Sequence, residues 1–202
     1  MLTLFHAAQT RSSRILWLIE ELGADVEVVY CEIAHRDGKK VGEPDPKNPH
    51  PDGKVPALIH DGVLITESAA VALYLTDLHP EAGLGAPVGS PERGRMLTWL
   101  TWAAGELEPA LFGRMSGASD AFAVARFEAA MDRLMEALWN GPFLMGGRFT
   151  VADVMIGSTL AWVRPMLPDS PLFDRYLERL AARPGQAREL VRDPSSALEV
   201  AA

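Results

Sequence analysis

The stretch from Gly53 to Ser68 constrains the fold of this chain more than any other part of the sequence. Two short apolar runs flank the dipeptide Asp61-Gly62. Asp-Gly between apolar runs favours a two-residue hairpin, because both turn residues need a positive φ. A helix is predicted to begin at Thr66. The stretch therefore predicts a strand, a tight turn, a second strand and a helix.

Two features of the same stretch indicate a binding site. Pro56 has no N–H and holds Val55 extended, so the main-chain N–H and C=O of Val55 are predicted to be free for a ligand. The predicted helix start offers unpaired N–H groups beside the Ser68 hydroxyl, which suits a carboxylate. Glu67 could receive an ammonium group. The pattern predicts a ligand with both a carboxylate and an amine; the alternative is an ordinary hairpin followed by a capped helix.

The first quarter of the chain reads as a β-α-β unit. Leu2 to Phe5 form a short predicted strand, and an apolar helical face then ends at Gly23, a natural C-cap. Val26 to Tyr30 form the second strand, and so short a crossover implies parallel, right-handed pairing. Residues 34–54 are rich in Gly, Pro, Asp and Lys and are predicted to be irregular. This order, completed by the hairpin and helix, is that of the thioredoxin-like fold.

Val55-Pro56-Ala57-Leu58, followed by Glu67-Ser68, resembles the glutathione-binding half of the cytosolic, bacterial-type glutathione S-transferase family. The resemblance implies an α/β thioredoxin-like N-terminal domain, an all-α C-terminal domain and glutathione as co-substrate without a metal. It implies that Val55 pairs with the cysteinyl part, next to Pro56, and that Glu67 and Ser68 hold the γ-glutamyl end. Lys54 either reaches the glycyl carboxylate or is a free surface lysine.

Chemistry is predicted in the loop from His6 to Arg14, because a helix N-terminus and hydroxyl donors stabilise a thiolate. The family carries a Tyr, Ser or Cys here, and this loop has no Tyr or Cys. Alignment on Glu20-Glu21-Leu22-Gly23 puts Arg11 where some bacterial classes carry their catalytic Cys. Ser12 is the first candidate for contact with the sulfur, Thr10 the second, and Arg11 an electrostatic helper. The alternative role of Ser12 is that of a helix N-cap.

A Pro/Gly-rich linker at residues 79–89 separates a predicted domain 1–78 from a helical domain 90–202. Helices are predicted over roughly 91–112, 119–139, 150–164 and 172–182. Thr150 and Asp153 form a predicted capping box, which also resembles the family and indicates a folding role. Trp99 and Trp102 line either the core or a pocket for a hydrophobic electrophile.

Composition excludes several classes of function. The chain has 48% hydrophobic residues and a net charge of -8, so nucleic acid is an unsuitable partner. Cys31 is alone, and the histidines lack ligand spacing, which argues against a disulfide framework and a metal site. No signal peptide or membrane-spanning run is present in the sequence. A cytoplasmic protein that does not bind membranes is expected.

The resemblance implies a homodimeric glutathione transferase that conjugates the thiolate to a hydrophobic electrophile. One alternative is a glutathione-dependent isomerase or disulfide reductase on the same fold. Another is a non-catalytic interaction or regulatory protein, because the usual Tyr or Cys is missing. Retention of Val55-Pro56 and Glu67-Ser68 argues against this last alternative, since a pure scaffold needs no site for an amine and a carboxylate.

Overall fold

The computed structural model describes residues 1–36 and 39–193 and divides them into two compact units. The first unit comprises Met1–Ala82 and the segment from Pro184, and the second comprises Gly83–Arg183. The strands are β1 (Leu2–His6), β2 (Glu27–Tyr30), β3 (His35–Arg36), β4 (Lys39–Lys40), β5 (Ala57–His60) and β6 (Val63–Thr66). The helices are α1 (Ser13–Leu22), α2 (Ser68–Leu78), α3 (Pro91–Trp102), α4 (Glu108–Met115), α5 (Ala121–Trp139), α6 (Val151–Trp162), α7 (Pro171–Ala181) and α8 (Pro184–Arg192). Across these ranges, no helix has the length and apolar character needed to cross a membrane.

The first unit is built on a four-stranded sheet in the order β2-β1-β5-β6. β1 pairs with β2 in parallel, whereas the β1–β5 and β5–β6 pairs are antiparallel. α1 buries its apolar face and ends at Gly23, whose φ of 63° gives the left-handed cap that a residue with a side chain resists. The predicted thioredoxin-like fold is confirmed.

The hairpin has the predicted turn. Asp61 and Gly62 have φ values of 48° and 84°, as a type I′ turn requires. The predicted helix start at Thr66 is wrong, because Thr66 pairs with Ala57 as the last residue of β6 and α2 begins at Ser68. The region predicted to be irregular also contains one short antiparallel pair, β3 with β4.

The second unit is helical, as predicted. Ser90 caps α3 by accepting from the Arg93 N–H, with Pro91 at the first turn. The predicted helix over 91–112 is interrupted, because Ala103–Leu107 form a π-helical turn between α3 and α4.

The capping box at the start of α6 is confirmed. The Thr150 N–H donates to Asp153 Oδ2 at 2.9 Å, and the Ala152 N–H donates to the Thr150 hydroxyl at 3.3 Å. The Leu144 N–H and the Tyr176 hydroxyl donate to Asp153 Oδ1. The carboxylate therefore joins the start of α6 to α7 and to the preceding loop, which agrees with a folding role.

The C-terminal helix differs from the prediction. The sequence placed it in a helical domain 90–202, whereas the structure groups α8 with the first unit, where it packs on α1. Arg188 Nε and Arg192 Nη1 lie 2.9 and 2.5 Å from the Glu20 carboxylate. These long-range contacts hold α8 on the sheet-bearing unit.

Candidate functional site

Strand register brings the predicted site segments to one end of the sheet. Phe5, near the end of β1, pairs with Ala57 at the start of β5, and Ala57 pairs with Thr66 at the end of β6. The loop after β1, the Val55-Pro56 dipeptide and the Glu67-Ser68 dipeptide therefore leave the sheet at the same edge. Segments separated by about sixty residues in the chain become neighbours here because β5 runs antiparallel to both β1 and β6.

The Val55–Pro56 peptide bond is cis, and Pro56 is buried. Val55 is half-buried, and no residue in the ranges 1–36 and 39–193 forms a hydrogen bond with its main chain. β5 begins only at Ala57. The N–H and C=O of Val55 are thus an extension of the sheet that an extended ligand can pair with.

Lys54 is exposed, and its Nζ lies 3.2 Å from Asp52 Oδ2. The Asn48 side-chain amide donates to the Lys54 carbonyl at 3.0 Å, which fixes the backbone just before Val55. The ion pair is solvent-exposed, so it is weak and a carboxylate ligand can compete with Asp52 for the ammonium group.

Glu67 and Ser68 form the turn from β6 into α2. Glu67 has a φ of 68° and an exposed side chain that makes no capping hydrogen bond. A non-glycine residue in this region is strained, and such residues concentrate at functional sites. Ser68 is buried as the first residue of α2. Together they present a carboxylate and a helix N-terminus at the edge where Val55 lies.

The loop between β1 and α1, residues 7–12, contains a network of hydroxyl groups and is called the hydroxyl loop. Thr10 is half-buried and its hydroxyl donates to the Ala7 carbonyl at 2.6 Å. The Thr10 and Ser12 hydroxyls are 2.8 Å apart. The Ala7 N–H donates to Ser12 Oγ at 3.1 Å, and Ser12 Oγ lies 2.7 Å from His6 Nδ1.

Ser12 occupies the N-cap position of α1, but its side chain makes no capping hydrogen bond. The side chain instead turns toward Ala7 and His6 and is 0% exposed. The hydroxyl predicted as the first candidate for sulfur contact is therefore covered by protein, whereas Thr10, the second candidate, is half-exposed. The sequence could not predict which of the two hydroxyls is exposed, because both residues are small, carry a hydroxyl and lie two positions apart.

His6 is a member of the site that sequence reasoning missed. It is fully buried at the end of β1, and its ring packs edge-on against Tyr30 at 5.4 Å. Burial lowers the pKa of His6 to about 4, so the ring is neutral at physiological pH. When Nδ1 carries the ring proton, the His6 Nδ1–H donates to Ser12 Oγ. The Ser12 hydroxyl then donates to Thr10 Oγ1 or to the Ala7 carbonyl. The available signal was its position next to the loop.

Two further loop residues differ in what they offer. Arg11 is exposed and lies between the two hydroxyl residues in sequence. Gln9 has a φ of 53°. Gln9 and Glu67 are the described non-glycine residues outside the hairpin turn with a positive φ, and both lie at this edge of the sheet. Backbone strain in the first unit is thus concentrated in the predicted site.

Cys31 belongs to the core rather than to the site. It is buried, its N–H donates to the His6 carbonyl at 2.8 Å, and burial raises the pKa of its thiol. A thiol that stays protonated is a poor nucleophile. The expectation of a small buried residue is confirmed.

The two tryptophans of α3 were predicted to line either a core or a pocket. Trp99 is buried, whereas Trp102 is half-buried, and their rings meet edge-on at 5.4 Å. The Arg133 guanidinium lies 4.8 and 4.5 Å from the centres of the Trp99 and Trp102 rings. Both rings are therefore used for packing inside the second unit.

The sequence and the fold are similar to those of known proteins. Residues 1–77 match the family model described as "Glutathione S-transferase, N-terminal domain", and residues 93–182 match "Glutathione S-transferase, C-terminal domain". Over 143 residues the chain is 34% identical to glutathione S-transferase GstA of Escherichia coli O157:H7, a match that covers 67% of this chain and 71% of the relative.

Two solved structures show the same similarity in three dimensions. A glutathione transferase from Methylococcus capsulatus has a TM-score of 0.81 at 30% identity, covering 96% of this chain and 98% of its own. A sphingomonad glutathione S-transferase, solved in complex with glutathione, has a TM-score of 0.78 at 28% identity, covering 95% of this chain and 98% of its own. The C-terminal family model ends at residue 182, next to the boundary of the second unit at Arg183.

Proposed function

Because the chain belongs to the glutathione S-transferase family, we propose that it is a glutathione transferase that activates the glutathione thiol at the start of α1 and conjugates it to a hydrophobic electrophile. The observation that carries the proposal is the convergence of a free Val55 main chain, Glu67 with Ser68, and the hydroxyl loop at one edge of the sheet. The glutathione complex of a similar protein supports the ligand.

Each part of glutathione is given a partner in this proposal. The Val55 N–H and C=O pair with the cysteinyl residue in the manner of an added antiparallel strand. Glu67 receives the γ-glutamyl ammonium group, and the Ser68 end of α2 receives its carboxylate. Lys54 pairs with the glycyl carboxylate in place of Asp52. A glutathione analogue whose γ-glutamyl amine is blocked would lose the interaction with Glu67.

The sulfur is assigned to the Thr10 hydroxyl. Its half-exposed position and the positive end of α1 favour a thiolate there. Ser12 is assigned a supporting role, because its buried hydroxyl holds Thr10 and receives a hydrogen bond from Ala7. As sulfur approaches, the Thr10 proton turns from the Ala7 carbonyl to the thiolate, and Arg11 adds positive potential to the loop.

The family resemblance extends the proposal to a homodimer in the cytoplasm. The single buried thiol, Cys31, needs no oxidising compartment. The identity of the electrophile is left to a substrate screen that includes aryl halides, epoxides and enones, with product analysis to separate conjugation from isomerisation and disulfide reduction.

Calorimetric titration with glutathione tests the proposal. We expect saturable binding, with protons released near neutral pH because the site lowers the thiol pKa. Glu67→Ala should weaken binding at least about tenfold, the loss expected for one charged hydrogen bond. Glu81→Ala, which removes an exposed carboxylate of the same unit near His79, is the matched control. An unchanged Kd for Glu67→Ala would refute its assignment.

The sulfur assignment has its own variant pair. Thr10→Val keeps the shape of the side chain and removes the hydroxyl, so kcat/KM should fall about tenfold or more through loss of a donor to an anion. Thr10→Ser keeps the donor and should retain most of the activity. Equal activities for Thr10→Val and the wild type would reject Thr10 as the sulfur contact. Absence of binding at millimolar glutathione would reject the proposed function.

A further inference from the structure

The end of the C-terminal helix contacts the hydroxyl loop. The Ser13 hydroxyl donates to Asp193 Oδ2 at 3.0 Å, and the Gln9 N–H donates to the same oxygen at 3.4 Å. These two donors lie on either side of the segment from Thr10 to Ser12. One carboxylate, itself buried, thus joins both ends of the loop across about 180 residues of sequence.

Helix α8, which ends one residue before Asp193, is anchored along its length to α1 and β2. Arg188 donates to the Glu20 carbonyl at 2.9 Å in addition to its ion pair with the Glu20 carboxylate. The Tyr30 hydroxyl donates to the Arg192 carbonyl at 2.7 Å, immediately before Asp193. A β-carbon at Gly185 would lie 2.6 Å from the Glu21 carboxyl group, so α8 approaches α1 closely. Asp193 is therefore held in a defined position.

We propose that Asp193 is a positioning residue for the thiol site, which holds the loop from Gln9 to Ser13 in place and sets its electrostatic potential through its negative charge. The proposal rests on the proposed function, because it concerns the loop to which the thiolate is assigned. The two hydrogen bonds from Gln9 and Ser13 to Asp193 are called the tie. Loss of the tie would let the loop leave its strained backbone conformation at Gln9, where φ is 53°. A small misplacement of a reacting group has a large effect on rate.

The charge of Asp193 acts on the same groups that surround the loop. It raises the pKa of His6, against the larger effect of burial, and it adds to the burial that raises the pKa of Glu189 to about 7. Arg192 supplies an opposing positive charge near His6. A negative charge at the start of α1 also raises the energy of a thiolate there, in opposition to the helix dipole. Asp193 therefore has two opposing effects. It holds the loop from Gln9 to Ser13 in position, and its negative charge makes the thiolate less stable.

Two substitutions separate these effects. Both loop donors use a single oxygen, so the carbonyl oxygen of Asp193→Asn can accept from both while the charge is lost. Asp193→Ala removes the acceptor and the charge together. We expect Asp193→Asn to keep the loop ordered and to move the acid limb of the kcat/KM profile for glutathione to lower pH. Asp193→Ala should lower kcat about tenfold with a smaller change in KM.

Loop order is measured without glutathione, by hydrogen exchange of the Gln9 amide in the full-length protein. Asp193→Ala should accelerate this exchange at least about tenfold, whereas Asp193→Asn should leave it within about threefold of the wild type. Glu27→Ala is the matched control, because Glu27 also accepts from a hydroxyl, that of Thr3, but does so at the opposite end of β1. Exchange in this control should equal that of the wild type.

Ser13→Ala removes one of the two hydrogen bonds to Asp193 from the loop side and takes the place of Asp193→Ala should that variant fail to fold. The Gln9 N–H keeps its acceptor in Ser13→Ala, so Gln9 exchange there should accelerate less, by about threefold or more. Unchanged Gln9 exchange in Asp193→Ala, or in Ser13→Ala where it replaces that variant, overturns the proposal, as does an unmoved acid limb in Asp193→Asn. The exchange measurement does not need glutathione, so a wild type that exchanges slowly yet binds no glutathione rejects the proposed function while the tie itself stands.

Discussion

Asp153 offers a stability test whose size follows from counted hydrogen bonds. Its carboxylate is fully buried and accepts from the Leu144 N–H, the Thr150 N–H, the Thr150 hydroxyl and the Tyr176 hydroxyl. Asp153→Ala leaves the two N–H groups and the phenol without this acceptor. At about 1–3 kcal/mol for each buried donor, with partial relaxation, the expected loss is about 3–5 kcal/mol.

Urea unfolding followed by tryptophan fluorescence measures this loss. Trp99, Trp102, Trp139 and Trp162 lie in the second unit, so fluorescence reports mainly on the unit that contains Asp153. The thermal midpoint should fall by about 10 °C, at roughly 2–4 °C per kcal/mol for a chain of this size. A loss below about 1 kcal/mol in Asp153→Ala would refute the reasoning, because it would mean that the donors find other partners at no cost.

The pH dependence of the same site has a definite sign. Burial raises the pKa of Asp153 to about 6 from an ordinary 3.8, although its hydrogen bonds pull the pKa down. The folded state therefore binds more protons than the unfolded state between these values, and the contribution of Asp153 to stability decreases as pH rises through about 6. Asp153→Asn does not titrate. The stability gap between wild type and Asp153→Asn should narrow by roughly 1–2 kcal/mol from pH 5 to pH 8; a gap that widens contradicts the sign.

Two other perturbations each test packing inside one unit, His6 in the first and Gly157 in the second. Burial lowers the pKa of His6 from 6.5 to about 4, so its contribution to stability is present above pH 6.5 and is lost as pH falls toward 4; His6→Asn should therefore flatten the acid side of the stability profile, as measured by urea unfolding between pH 4.5 and 7. A β-carbon at Gly157 would overlap Leu180 and lie 3.3 Å from the Tyr176 hydroxyl, so Gly157→Ala should destabilise the second unit by about 2 kcal/mol. Gly94→Ala, where nothing lies within 4 Å, should be neutral or stabilising by up to about 1 kcal/mol, and equal effects of the two glycine substitutions would contradict the packing argument.

The sequence by itself determined those features that depend on neighbouring residues. Asp61-Gly62 specifies its turn, Gly23 its helix cap, and Thr150 with Asp153 its capping box, because each acts through backbone geometry and hydrogen bonds within a few residues. The dipeptides Val55-Pro56 and Glu67-Ser68 identified the family for the same reason. A site that binds its ligand through the main chain needs particular residues in a fixed order along the sequence.

Only the tertiary structure decided which side chains face solvent and which distant residues meet. Whether Ser12 or Thr10 is exposed depends on the packing of His6 and Ala7 around the loop. The tie from Asp193 to Ser13 joins residues 180 positions apart, and no local pattern encodes it. Such contacts form only when burial of apolar surface has offset the entropy of closing a long loop, so they depend on the whole packed unit rather than on its neighbouring residues.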